Sequence, residues 1–281
     1  MSDAIRVGLV GFGYASKTFH APLIGGTPGM ALKAVASSDA DKVHADWPGV
    51  KVMSAPGDLL DDPDIDLVVI ATPNDTHFPL AKAALEAGKH VVVDKPFTVT
   101  LSQARELESL AKHCGRILSV FHNRRWDSDF LTVSALINEG QLGEVCYFES
   151  HFDRFRPQVR QRWREQAGPG SGIWYDLAPH LLDQVVVLFG LPVSITVDLA
   201  QLRPGAQSTD YFHAVLAYPQ RRVVLHGTFL AAAESARFIV HGSRASYIKY
   251  GLDPQEERLK NGERLPQEDW GYDMRDGTLT R

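Results

Sequence analysis

Over the first 122 residues the chain alternates short apolar runs with longer amphipathic stretches. Residues 5–11 (IRVGLVG), 31–37, 66–72, 90–94 (HVVVD) and 117–122 read as strands buried on both faces. Between them, residues 15–24, 39–46, 77–87 and 102–113 carry helical periodicity. In the last of these, Ala104, Leu107, Leu110 and Ala111 share one face, with Ser102 as the predicted N-cap. Strand and helix in alternation, with β-branched strands, predict an α/β fold built on a doubly wound parallel sheet.

The pattern changes after His122. A helix is predicted over 129–139, closed by Gly140, then a strand segment at 144–155, a loop, and a helix over 174–189. Five alternating runs follow at 194–202, 210–218, 221–230, 236–242 and 245–251. Strands in succession without intervening helices predict an α+β domain with a large open, mostly antiparallel sheet. The chain therefore divides into residues 1–122 and residues 123–281. The broad second sheet also predicts face-to-face pairing of two copies, a homo-oligomer.

Composition narrows the function classes. The 281 residues are 44% hydrophobic and 22% charged with net charge −5, and neither half carries a basic excess, which argues against a nucleic-acid binder. Two cysteines, Cys114 and Cys146, form neither a disulfide framework nor a zinc spacing. The N-terminus lacks a signal-peptide pattern and no apolar run is long enough to span a bilayer, so the expectation is a cytoplasmic protein with no membrane partner.

Chemistry gathers at the strand ends. Gly11 and Gly13 lie directly between the first strand and the first helix, the context in which G-x-G-x-x-G cradles a dinucleotide pyrophosphate, with Ser16 in place of the third glycine. At the end of the second strand an NAD site usually offers a carboxylate to the ribose. Here Ser37 and Ser38 hold that place, with Asp39 next and Lys42 one turn on, a set that leans to NADP, with NAD as the alternative. Asp39 also reads as a helix cap. Thr72, Pro73, Asn74 and His77 close one further strand, Asp94, Lys95 and Pro96 another, and His122 and Asn123 a third. A lysine emerging from a buried strand toward the ligand edge of such a sheet reads as functional.

Gly11-Phe12-Gly13, Thr72-Pro73-Asn74, His77 and Asp94-Lys95-Pro96 together resemble the Gfo/Idh/MocA oxidoreductase family, whose marker is Glu-Lys-Pro, so that Asp94 is one methylene shorter. "GIWYDLAPHLLDQ" looks like the family's D-x-x-x-H helix. Three further segments, beginning at Ser119, Phe152 and Trp270, look like the branch that includes NADP-dependent scyllo-inositol dehydrogenase. The resemblance implies a Rossmann domain and cofactor contacts from Phe12, Thr72, Pro73, Asn74, His77, Asp94, Lys95 and Asn123. It also implies hydride exchange with a polyol or sugar carbinol. It implies that, within the arginine-rich stretch holding Arg154, Arg156, Arg160, Arg162 and Arg164, Trp163 and Arg164 lie nearest the cofactor; the remaining arginines read as a solvated or salt-bridged loop answering the abundant carboxylates. Members usually continue past the point matching Thr278-Leu279-Thr280 into a further strand and a closing helix, and a chain ending there is expected to expose apolar surface.

The residues fit that chemistry on their own terms. Oxidising a carbinol requires a base for the hydroxyl proton and a donor for the oxygen. Asp176 and His180, four apart, share one helical face. His180 is the expected base, Lys95 the donor to the carbinol oxygen, and Asp176 the group that orients substrate or His180, while Asp94 steadies Lys95. The plainer reading makes Asp176 a helix cap ahead of Pro179. Asp176, His180 and Asp183 as a metal site are set aside, since hydride transfer needs no metal. Two alternatives remain: a dinucleotide-binding redox sensor without turnover, and an NAD-dependent glycosidase on the same fold.

Overall fold

The computed structural model describes residues 4–265 and 267–281. It divides into two compact units, Met1–Phe121 with Gln255–Trp270, and His122–Pro254 with Gly271–Arg281. In the first unit β1 (Ile5–Val10) leads through a π-type turn at Ser16–His20 into α1 (Ala21–Gly26). There follow β2 (Met30–Ala36), α2 (Ala40–Asp46), β3 (Lys51–Met53), α3 (Pro56–Leu60) and β4 (Leu67–Ile70). The series ends with α4 (His77–Glu86), β5 (His90–Asp94), α5 (Leu101–Cys114) and β6 (Leu118–Phe121).

All six strands run parallel in the order β3-β2-β1-β4-β5-β6. The chain reverses its direction of travel across the sheet between β1 and β4, and ligands of such sheets bind outside the carboxyl ends there. One face packs Val68, Ile70, Val91 and Val93 against α4 and α5, the other packs Val7, Leu9 and Val35 against α1 and α2. The short β3 and α3 escape the sequence pattern, since three and five residues show no period. Thr100, not Ser102, caps α5: its side chain accepts from the Gln103 N–H, which places the cap two residues earlier than the polar pattern suggests.

The second unit holds α6 (Ser128–Asn138), β7 (Val145–His151), α7 (Gly172–Phe189) and β8 (Ser194–Ala200). It continues with β9 (Tyr211–Ala217), β10 (Arg222–Thr228), β11 (Ala236–Gly242) and β12 (Ser246–Tyr250). The short helix α8 (Gln255–Lys260) belongs to the first unit, and β13 (Thr278–Thr280) completes the second sheet. That sheet runs β13-β12-β11-β7-β10-β9-β8, antiparallel except where β7 and β10 lie parallel. The single parallel pair fits the mostly antiparallel sheet expected from the sequence: α7, β8 and β9 intervene between β7 and β10, and the return strand joins β7 from the same end.

One face of this sheet is the core, where Phe148, Phe212, Leu225 and Phe238 pack with Leu181 and Val185 of α7. Arg237, buried in that core, donates to the Ser150 hydroxyl at 2.6 Å and the Gln184 side chain at 3.1 Å, and lies 3.3 Å from Asp129. At the start of α6, Asp253 reaches across 125 residues to accept the Ser128 N–H at 2.7 Å. Burial, with Asp129 and Asp253 near and Arg124 only partly offsetting them, pushes the Asp127 carboxyl up to about 7.

A carboxyl whose folded pKa lies above its unfolded value binds its proton more tightly in the folded chain. Its contribution is therefore whole below about pH 4 and lost as pH rises through 7, with a ceiling of about 4 kcal/mol. The expectation is that Asp127→Asn melts higher than the wild type at pH 8 and loses most of that advantage at pH 5, as thermal melts at both pH values will read.

Candidate active site

The first turn of the nucleotide-type loop is fixed by space and by φ. Gly11 has φ +87°, and a Cβ there would sit 2.9 Å from Thr72 Cγ2 and 3.0 Å from the Ala71 carbonyl oxygen. The loop after β1 thus rests on the loop after β4. A Cβ on Gly13 would meet nothing within 4 Å, so its missing side chain leaves open space beside the start of the helix. Ser16 is fully buried and donates to the Gly11 carbonyl at 2.8 Å, tying the turn to the helix as a third glycine would not. Phe12 turns its ring into the core, leaving its backbone to the loop.

Ser37 and Ser38 stand at the end of β2, Ser38 exposed. Asp39 is the N-cap of α2, accepting from the Lys42 N–H at 3.0 Å. At the ends of β4 and β5 one buried ring joins two loops. His77 Nδ1 lies 2.9 Å from the Pro96 carbonyl and Nε2 3.0 Å from the Thr72 carbonyl. Thr72 and Thr76 share a hydroxyl–hydroxyl bond of 2.6 Å, and Asn74 is buried between them in sequence.

Asp94 accepts the Lys95 N–H at 2.7 Å and lies 3.5 Å from Nε2 of the buried His20. Burial by itself pushes the Asp94 carboxyl up. The His20 contact, the Lys95 ammonium and the Lys95 N–H outweigh it, so the group is held below the usual carboxylate range. It is thus an anion beside Lys95. Lys95 is half-buried, and the Lys95–Pro96 peptide is cis. The first unit therefore gathers Gly11, Gly13, Thr72, Pro73, Asn74, His77, Asp94 and Lys95 at one sheet edge.

Asn123, Trp163, Arg164, Asp176 and His180 belong to the second unit. Asn123 opens a 3-10 turn over Asn123–Trp126. Asp176 does not cap α7: the helix begins at Gly172 with Ser171 as N-cap, and Pro179 lies inside it. Asp176 instead sits 3.4 Å from Arg164, whose guanidinium stacks 4.5 Å from the Trp163 ring. His180, one turn on and buried, lies over Phe152 with ring centroids 6.4 Å apart. Asp183 is held by two bonds from Arg125 and lies 3.6 Å from His122, which takes it out of any metal set with Asp176.

The residues that shape the arginine-rich loop have no local signature. Buried Glu165 accepts from the Arg160 N–H at 3.0 Å, Arg162 at 2.7 Å and Arg203 at 3.0 Å, and Arg203 also pairs with buried Asp210 at 2.9 Å. Arg203 and Asp210 lie in the loop between β8 and β9, 38 or more residues away, and only the fold reveals them. Burial, with Arg154, Arg160 and Arg162 crowding it, holds Arg156 down to about 10. His20, the partner of Asp94, was likewise invisible among the helix residues.

Comparison with known proteins agrees on both units. The oxidoreductase family with an NAD-binding Rossmann fold matches residues 5–122, and its C-terminal alpha/beta domain matches residues 134–281. The chain is 82% identical over its whole length to an uncharacterized oxidoreductase of Escherichia coli strain K12, YdgJ, covering 81% of it. It is 38% identical to the Bacillus subtilis scyllo-inositol 2-dehydrogenase (NADP(+)) IolW, across 97% of this chain and 76% of that one. A solved oxidoreductase structure from Yersinia pestis aligns with TM-score 0.95 at 69% identity, over 100% of this chain and 82% of that one.

Two glycine variants separate folding from binding at the loop. Gly11→Ala is expected to lower stability by about 1–3 kcal/mol through φ strain and the Thr72 clash. Gly13→Ala should melt like the wild type yet bind a nicotinamide dinucleotide at least tenfold more weakly by calorimetry. Unchanged binding in that variant would remove Gly13 from the phosphate loop.

Proposed function

Because the chain belongs to the Gfo/Idh/MocA oxidoreductase family, with that family's nucleotide-binding and C-terminal domains both present, we propose that it is an NADP-dependent dehydrogenase acting on a carbinol of a cyclitol or sugar. The observation that carries this reading is Lys95, set beside an ionised Asp94 at the nucleotide edge of the parallel sheet, in a chain that also carries Asp176 and His180 on one helix face. The family's nicotinamide cofactor, when bound, supplies the acceptor for the hydride leaving the carbinol carbon.

The chain supplies the rest. His180 takes the hydroxyl proton, and its imidazole is the side chain best matched to proton transfer near neutral pH. Lys95 donates to the carbinol oxygen and stabilises the negative charge that develops there. Asp176 positions Arg164, and with it Trp163, for substrate. Gly11, Gly13 and the helix N-terminus hold the pyrophosphate, and Ser37 and Ser38 leave room for a ribose phosphate where a carboxylate would repel it. The NADP(+) in the name of IolW supports that preference.

A panel of cyclitols and sugars, run with NAD and NADP in parallel and followed at the reduced-nicotinamide absorbance, tests the reading. The expected outcome is turnover of at least one polyol with NADP favoured. Absence of net reduction while a glycoside is cleaved would replace it with the glycosidase reading. Lys95→Ala and His180→Asn should each lower kcat roughly a hundred- to ten-thousand-fold. Full turnover in Lys95→Ala would take the lysine out of the mechanism.

A further inference from the structure

The face of the second sheet opposite α7 carries a side-chain cluster that the proposed reaction does not use. The chain stays extended beyond the end of β7: Phe152 N–H donates to the His226 carbonyl and Arg154 N–H to the Thr228 carbonyl, both at 2.9 Å. Residues two apart on an extended chain share a face, so His151 and Asp153 project together. The parallel register of β7 and β10 sets His226 directly opposite His151. The three side chains converge as a result. Asp153 Oδ2 lies 3.1 Å from His151 Nδ1, and Oδ1 lies 2.7 Å from His226 Nδ1. The donor atoms of all three lie within 4.8 Å of one another.

Behind them stands a supporting layer. Glu149 Oε1 is 2.6 Å from His151 Nε2, and Tyr147 donates to the other Glu149 oxygen at 2.7 Å. A carboxylate that accepts from the far nitrogen of a histidine fixes its proton there and turns the near nitrogen into a ligand, the arrangement that backs metal-bound histidines.

We propose that His151, Asp153 and His226 form a binding site for a borderline first-row divalent metal ion, of which zinc is the representative. Two imidazole nitrogens and one carboxylate suit such an ion and leave at least one coordination position open. Tetrahedral bonds of about 2.0–2.1 Å place ligand atoms about 3.3 Å apart. The two carboxylate–imidazole spacings, on different oxygens of Asp153, are about 0.2 to 0.6 Å short of that value, and with all donor atoms within 4.8 Å a side-chain rotation brings them to one ion. The ion clamps the end of β7 and the chain beyond it to β10, and it has no part in hydride transfer.

The test uses the tag-free full chain, stripped with EDTA, desalted and titrated with zinc by calorimetry. One site per chain is expected, with affinity falling at least tenfold in His226→Gln and in Asp153→Asn and less steeply in Glu149→Gln. Zinc should also raise the melting temperature of the wild type and leave that of His226→Gln unchanged. No stoichiometric site, or equal binding by wild type and variants, would overturn the proposal and leave the three as a hydrogen-bonded cluster. Should a variant fail to fold, cobalt decides on the wild type alone. A stoichiometric visible d–d spectrum displaced by zinc supports the site, and its absence overturns it.

Discussion

At the nucleotide edge of the parallel sheet, the whole arrangement depends on a buried imidazole set between two loop carbonyls. Burying a carbonyl without a donor costs about 1–3 kcal/mol, and the turns after β4 and β5 each bury one. His77 lies against both, at 3.0 Å to Thr72 and 2.9 Å to Pro96, and with one N–H on the ring it donates to one of them. Thr72 in turn meets the turn at Gly11, and Pro96 follows Lys95 directly. One ring thus sets the spacing among the phosphate loop, the Thr72-Pro73-Asn74 turn and the lysine. His77 reads in the sequence as one more polar group near a ligand. In the structure it is 1% exposed, and both its nitrogens face protein carbonyls.

Two buried carboxylates show how neighbours decide charge. Asp94 and Asp127 both lose water, which raises either one. Asp94 has His20, the Lys95 ammonium and a backbone N–H to favour its anion, and it stays ionised. Asp127 has Arg124 and Arg237 against burial and two further carboxylates, and its pKa rises to about 7. The first keeps a negative charge next to the lysine, and the second places a titrating group under α6.

Around the arginine-rich loop of the second unit, ion pairs do the shaping that apolar packing does in the sheet core. Arg203 and Asp210 are each 1% exposed, and Glu165 is 3% exposed. Losing one partner of such a set typically costs about 3–5 kcal/mol, because the other is left charged and buried. This network folds back the loop bearing Trp163 and Arg164 and brings Arg164 to Asp176. The neighbouring arginines crowd Arg156, which together with burial lowers its pKa to about 10.

The parallel sheet, the second sheet and the strand-end motifs were legible in the chain, because period-two and period-3.6 burial and the glycine turn are local properties. Lys95, the Asp176–His180 spacing and the Gly11–Gly13 turn belong to that class. What neighbours in space contribute was not legible. His20 beside Asp94, Arg203 on Glu165, Asp253 at the start of α6 and His226 opposite His151 are joined across 38 to 125 residues or by strand register. Sequence spacing carries no record of which strands become neighbours, and register decides which side chains face one another. The parallel pairing of β7 with β10 has the same origin. The chain fixes each strand's faces, and only the closed hydrogen-bond ladder fixes its partner.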